Sequence, residues 1–202
     1  MKNDEIQSVI DLTEFDSPAQ EYARDVWLFL YLCNGINFAD LLLMRWENIQ
    51  RDFLIFFRKK TRNTRTKNVK EITAPIYEDL RKLIEKIGNK NSPFILGKLK
   101  EGYSENTFEN KSHKMRRSIN IELRTIHKKL NLSVPIKLGT ARSSYATTLL
   151  RNGQSKTRIG EMLGHGSYAM IEHYCGGLDL DTIYEVNKSL YKNTPGFTPG
   201  NG

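Results

Sequence analysis

The chain holds only two cysteines in 202 residues, Cys33 in an apolar run and Cys175 in a glycine-rich context. Two cysteines so placed imply neither a disulfide framework nor a zinc site. Histidines number four. No apolar run approaches the length of a membrane span, and the start, MKNDEIQSV, lacks the apolar core of a signal peptide. The expectation is a soluble, intracellular protein with no membrane partner. Acid is in deficit: 23 Asp+Glu against 31 Lys+Arg give a formal charge of +8 and a pI near 9.4. That balance favours a polyanionic partner, nucleic acid first. Hydrophobic residues make up 39% and aromatics 10%, enough for a core and unlike a disordered chain. The length suits one well-packed domain and is short for two.

Residues 1–16 read as a flexible lead-in, 17–192 as one folded domain, and 193–202, Pro/Gly-rich NTPGFTPGNG, as a disordered tail. SPAQ at 17–20 is a helix start, with Ser17 as cap, Pro18 in the first helical position and Gln20 closing a capping box. EYARDVWLFLYLC, apolar on most faces, predicts a buried helix ending near Asn34-Gly35. FADLLLMRW follows as a second helix. FLIFF (53–57) and VKEITAPI (69–76) read as two short strands. Between the strands, RKKTRNTRTKNVK carries seven basic residues and no acid. Helical spacing continues over 76–87, 107–130, 139–151, 155–163 and 181–190, with a loop at 88–106. The fold class is mainly α with a small antiparallel β-sheet (α+β).

The stretch LGHGSYAMIEHYCG, residues 163–176, sets His165 after a glycine and Tyr174 nine residues on. Alone, these are a polar group in a turn and an aromatic that could fill a core. Upstream lie TARSSYATTLLRNG (140–153) and IGEMLGH (159–165). Together the segments resemble the catalytic domain of the tyrosine recombinases, the phage-integrase family. Members of that family read H-x-x-R-H-T-F-A-T, then L-G-H, then the nucleophilic tyrosine at that separation. GINFADLLLMRWENI (35–49) looks like the family's G-L-R-x-x-E-L-x-x-L-x-W-x-D-I. RKKTRNTRTKNVKEITAPI resembles its β-hairpin, with a lysine before a threonine. Each segment is weakly specific; in this order, over roughly residues 18–190, the set is specific.

The resemblance implies the DNA breaking-rejoining fold and a site-specific recombinase or integrase of a mobile element. Tyr174 would be the nucleophile, Arg142 and His165 would bind the phosphate, and Lys60 would be the general acid. The hairpin residues Arg58, Lys59, Arg62, Arg65 and Lys67 would bind DNA. These residue types suit the chemistry. A phenol with a pKa of about 10 needs its proton taken or its anion stabilised. A guanidinium gives paired donors that lysine cannot supply. The 3′-phosphotyrosyl link conserves bond energy, so no ATP, metal or other cofactor is implied. The implied partners are double-stranded DNA and further copies, four on DNA, with the isolated domain a monomer and the last helix, TIYEVNKSLY, or the tail docked on a neighbour. The implied setting is prokaryotic, cytoplasmic and nucleoid-associated. Family members usually carry an N-terminal DNA-clamping domain, so the expectation is that these 202 residues are the catalytic part, with that domain absent from them.

Two positions depart from the pattern: Asn37 stands where the family has its first arginine, and Gly139 where it has a histidine. Asn37 can cap the following helix, with Asp40 three residues on. Arg45 lies two turns further, about 12 Å of helix, and substitutes poorly. Lys137, a group from DNA or a neighbouring subunit could compensate. Losing one transition-state donor commonly costs about 10²–10³ in rate, and two losses need not multiply. The alternative is therefore a catalytically impaired DNA-binding descendant. A nicking enzyme of topoisomerase type stands behind both.

Overall fold

The structure, a computed structural model, describes residues 1–59, 71–164, 180–188 and 190. Its helices are α1 (Asn3–Ile10), α2 (Pro18–Leu32), α3 (Phe38–Leu43), α4 (Glu78–Ile87), α5 (Glu105–Lys129), α6 (Leu138–Arg151), α7 (Lys156–Met162) and α8 (Leu180–Lys188). The strands are β1 (Ile49–Gln50), β2 (Phe53–Phe57) and β3 (Glu71–Pro75), in the order β1-β2-β3. The architecture is the expected one, helical with a small antiparallel sheet.

Helix α2 is the hub, and it packs against α4, α5 and α6. Its composition dictates this: from Val26 to Leu32 every side chain is buried, as a helix apolar on all faces requires. Ser17 Oγ accepts from Gln20 N at 3.1 Å and Pro18 opens the helix. The Gln20 side chain reaches past the cap, accepting from Asp16 N at 2.9 Å and donating to Thr125 on α5 at 2.8 Å. Trp27 stacks on Tyr31 at 5.6 Å, and Tyr31 meets Tyr145 of α6 edge-on at 6.5 Å, favourable aromatic geometries. Trp27 Nε1 also donates to Lys137 O and Thr140 Oγ1, both at 3.1 Å. The start of α6 is thereby tied to the core.

In β2, Leu54 and Phe56 point inward, and Ile72 and Ala74 of β3 pair with them across the ladder. The register, Phe53↔Pro75 to Phe57↔Glu71, makes 58–70 the connection between antiparallel neighbours, the topology expected of a hairpin. After α2 the chain turns through two left-handed residues, Asn34 (φ 51°) and Gly35 (φ 58°). Asn34 Nδ2 donates to Thr73 O at 3.0 Å, which locks the turn to β3.

Three expectations are corrected. The lead-in is not a flexible segment: α1 forms, with Ile6 and Val9 buried. Glu5 accepts from Lys2 N at 2.8 Å and Ser133 N at 2.5 Å. One turn of Ile-x-x-Val is too short to register as periodicity, and long-range contacts decide it. The second helix stops at Leu43, because Met44 turns extended and its carbonyl accepts from Ile95 N at 2.8 Å. Asn37 holds the N-cap position but makes no cap bond; its amide donates to Asp40 Oδ2 at 3.5 Å. Helix α8 packs on β3. Val186 and Asn187 are buried there, and Tyr184 lies 4.9 Å from the ring of Tyr77.

Candidate active site

Arg142 sits in the second turn of α6, where Gly35 makes room for it. A Cβ on Gly35 would stand 3.0 Å from Arg142 Cα and 3.1 Å from Tyr145 Cβ, so turn and helix touch backbone to backbone. Arg142 Nη1 donates to Gly35 O at 3.0 Å and Nη2 to Leu163 O at 2.7 Å. The guanidinium plane is thus fixed from both sides by carbonyls. Burial, then the neighbouring charge of Arg58, pull its pKa down to about 10. It stays cationic at neutral pH.

Beside it opens a cleft of about 710 Å³, bordered by the N-terminal ends of α3 and α6 and one face of α5. Lys59, Arg116, Lys137 and Arg142 line it against Asp40 and Glu109, so its charge is net positive. Gly139 lies in the same wall, and a Cβ there would meet nothing within 4 Å. Asn37 is also in the lining. The two positions where the sequence departs from the family pattern therefore face one cleft together with Arg142. Arg45 does not join them; it pairs with Glu101 at 2.7 Å beyond the end of α3.

Of the expected hairpin cations, Arg58 and Lys59 fall within the described residues, and both turn inward, with side chains 12% and 17% exposed. Arg58 Nη1 donates to Gly164 O at 2.8 Å. Lys59 Nζ pairs with Glu105 and Glu109 and lies 4.2 Å from the Phe108 ring centre. Burial pulls the Lys59 pKa down, but the hydrogen bonds and charges of the two glutamates more than offset this and raise it. Acids on α5 and α3 draw the pair in, a long-range effect that a basic run does not reveal. Lys60, Arg62, Arg65, Lys67, His165 and Tyr174 lie outside the described residues.

The reading of the sequence missed the cations of α5. Arg116 faces the main cleft; Arg117, Asn120, Arg124 and His127 border a second cleft of about 420 Å³ that shares Asn120 and Lys137 with the first. The i, i+3, i+7, i+10 spacing of that set was a legible signal for one helix face. Among the described residues no group of His, Cys, Asp and Glu could hold a metal, and no helix is long and apolar enough to cross a membrane.

Residues 1–178 match the Phage integrase family. The chain superposes on XerA recombinase with a TM-score of 0.55 at 17% identity, over 93% of this chain and 63% of that one. A lambda integrase(75–356) dimer bound to a COC′ core site gives 0.54 at 20% identity, over 86% and 58%. The lambda integrase catalytic core gives 0.52 at 20% identity, over 82% and 94%. The chain thus spans less than two thirds of the first two proteins and nearly all of a catalytic core. No curated protein matches it. The motif order, the Arg142 cleft and the match over 1–178 agree: the chain belongs to the phage integrase family and has the tyrosine-recombinase catalytic-domain fold.

Proposed function

We propose that this chain is the catalytic domain of a site-specific DNA recombinase or integrase of a mobile element, acting on double-stranded DNA through a 3′-phosphotyrosyl intermediate. The observation that carries the reading is Arg142, held by two backbone carbonyls at the edge of a cationic cleft, with its Leu163 anchor two residues before His165. The two carbonyls orient the guanidinium, which preorganises the fork for a phosphate. Tyr174 Oη gives up its proton to water and attacks the scissile phosphorus. The bond from phosphorus to the 5′ oxygen breaks, and Lys60 gives that oxygen its proton. Arg142 and His165 carry the charge that develops on the non-bridging oxygens. The reverse sequence rejoins the strand, and no cofactor or metal enters.

Lys60 is favoured over Lys59 as the acid because two carboxylates hold the Lys59 ammonium and raise its pKa. Phosphates flanking the reacting one run along the α5 face, over Arg117 and Arg124. The whole protein adds an N-terminal DNA clamp to this catalytic unit, works as a tetramer on DNA, and acts in a prokaryotic cytoplasm at the nucleoid.

The test is a nicked suicide duplex, on which cleavage strands the covalent intermediate, assayed with the complete gene product. A protein–DNA adduct that is lost in Tyr174→Phe is the expected result. DNA binding without any adduct would overturn it in favour of a descendant that binds DNA and no longer cuts. The neutral Asn37 and side-chain-free Gly139 in the cleft favour that second reading.

A further inference from the structure

Asp40, in the first turn of α3, has a side chain only 4% exposed. Its Oδ1 accepts from Lys59 N at 2.8 Å; its Oδ2 meets Asn37 Nδ2 at 3.5 Å and stands 4.0 Å from Arg58 Nε. A buried carboxylate needs a cation nearby. Asn37, three residues earlier on the same helix, is neutral and offers only an amide. Among the described residues Arg58, delivered from the end of β2, stands in ion-pair range of Asp40, whose charge also reaches Arg142.

Arg58 is placed for this by the sheet. It follows Leu54 and Phe56 in the inward phase of β2, two residues apart each time. Gly164, at φ 64°, has no Cβ to block it; one would stand 3.0 Å from Arg58 Cδ and 2.5 Å from Ile72 Cδ1. The outcome is two guanidinium groups on consecutive carbonyls at the end of α7: Arg142 on Leu163 O at 2.7 Å and Arg58 on Gly164 O at 2.8 Å. They are near enough for the charge of Arg58 to depress the pKa of Arg142. Holding like charges together costs free energy that a bound anion between them recovers.

We propose that Arg58 supplies the second guanidinium of the phosphate grip, replacing from β2 the cation that Asn37 does not provide on α3. The inference rests on the phosphoryl-transfer reading above. The main cleft is lined by Asp40 and Arg142 and not by Arg58; Arg58 sits beside it, on the Gly164 carbonyl next to the Leu163 carbonyl that holds Arg142. The N–H donors of Arg58 bind a non-bridging oxygen as the bond from Tyr174 Oη to phosphorus forms and the bond to the 5′ oxygen breaks. Asp40 is a positioning residue, since it touches Arg58 and not the phosphate.

The experiment pairs adduct formation on the nicked duplex with binding of orthovanadate, a mimic of the phosphoryl transition state, in the full-length protein. Melting is followed to exclude unfolded variants. Arg58→Ala should lower the adduct rate about 10²–10³-fold with DNA affinity nearly unchanged. Arg58→Lys should recover only part, for want of a planar fork. Asn37→Arg in the Arg58→Ala background should restore at least about tenfold, because the same grip can be filled from α3. If Arg58→Ala cuts within threefold of the unmodified protein while Arg142→Ala does not cut, the proposal fails and the recombinase reading stands. If no variant forms an adduct yet orthovanadate binding needs both arginines, the grip stands and the recombinase reading falls. Orthovanadate binding that is indifferent to Arg58 sinks the proposal even then. A loss in Arg58→Ala that Asn37→Arg leaves unrepaired assigns Arg58 to packing and also overturns it.

Discussion

Gly139→His should raise the adduct rate, and the structure says why the gain can be separated from mere stabilisation. Gly139 is the second residue of α6, and a Cβ there meets nothing within 4 Å, so an imidazole enters without repacking. Arg142 stands three residues on, one turn away on the same face, and both line the cleft. Removing a helical glycine is worth up to about 1 kcal/mol with alanine and somewhat less with histidine. In a domain of this size that corresponds to a melting shift of about 2–4 °C at most. A restored transition-state donor or proton acceptor is worth far more, about 10²–10³ in rate, or roughly 3–4 kcal/mol. Gly139→Ala is therefore the control: melting should rise in both variants, and the single-turnover adduct rate only in Gly139→His, by at least about tenfold. Equal adduct rates in the histidine and alanine variants would refute the idea that this empty position limits the chemistry.

Three further outcomes are expected. Gly35→Ala, at φ 58° and with a Cβ 3.0 Å from Arg142 Cα, should cost about 1–3 kcal/mol in denaturant unfolding and should also weaken the adduct, by shifting the carbonyl that holds Arg142; a loss of stability with the chemistry intact would dissociate the turn from the site. Glu5 is pulled two ways: burial raises its pKa, while hydrogen bonds from the Lys2 and Ser133 amides lower it more, to about 2 from an ordinary 4.5. A depressed folded-state pKa stabilises fully above the unfolded value and is lost as pH falls through the folded one, so its contribution, on the order of 3 kcal/mol, should fade between about pH 4.5 and 2; Glu5→Gln should flatten that part of the acid-unfolding curve, and an unchanged curve would contradict it. Arg117→Ala with Arg124→Ala should reduce the slope of log affinity against log salt by nearly 2, whereas an unchanged slope would take the α5 face out of the DNA contact.

What the sequence made legible was whatever depends on local order. The buried α2, the two strands around FLIFF and EITAP, and the succession of helices from 78 to 188 follow from periodicity and caps. Asn37, Gly139 and Arg142, singled out by the motif spacing, line one cleft, although residues 37 and 142 are far apart in the chain. Two kinds of information were hidden. Helix α1 is stabilised by contacts with residues far along the chain, such as Glu5 with Ser133, and eight residues of weak pattern could not announce it. The other was the fate of individual charges. RKK at 58–60 reads as one solvated basic face, yet Arg58 goes to Asp40 and Gly164 while Lys59 goes to Glu105 and Glu109.

That division of the basic run bears on how a family site can lose a motif residue and keep its electrostatics. A phosphate in flight reads the positions of N–H donors and the local potential, not the helix that delivers them. The buried Asp40 fixes where a guanidinium must lie, because an unpaired carboxylate at that depth is costly. With arginine at 37 that demand could be met within α3. With asparagine there, the same carboxylate is paired from β2 by Arg58. Asp40→Asn separates the two roles: Arg58 would keep its charge and its bond to Gly164 O but lose its anchor, so the adduct rate should fall while DNA affinity rises slightly from the removed negative charge. A fall in both together would mean that Asp40 serves the stability of α3 rather than the placement of a cation.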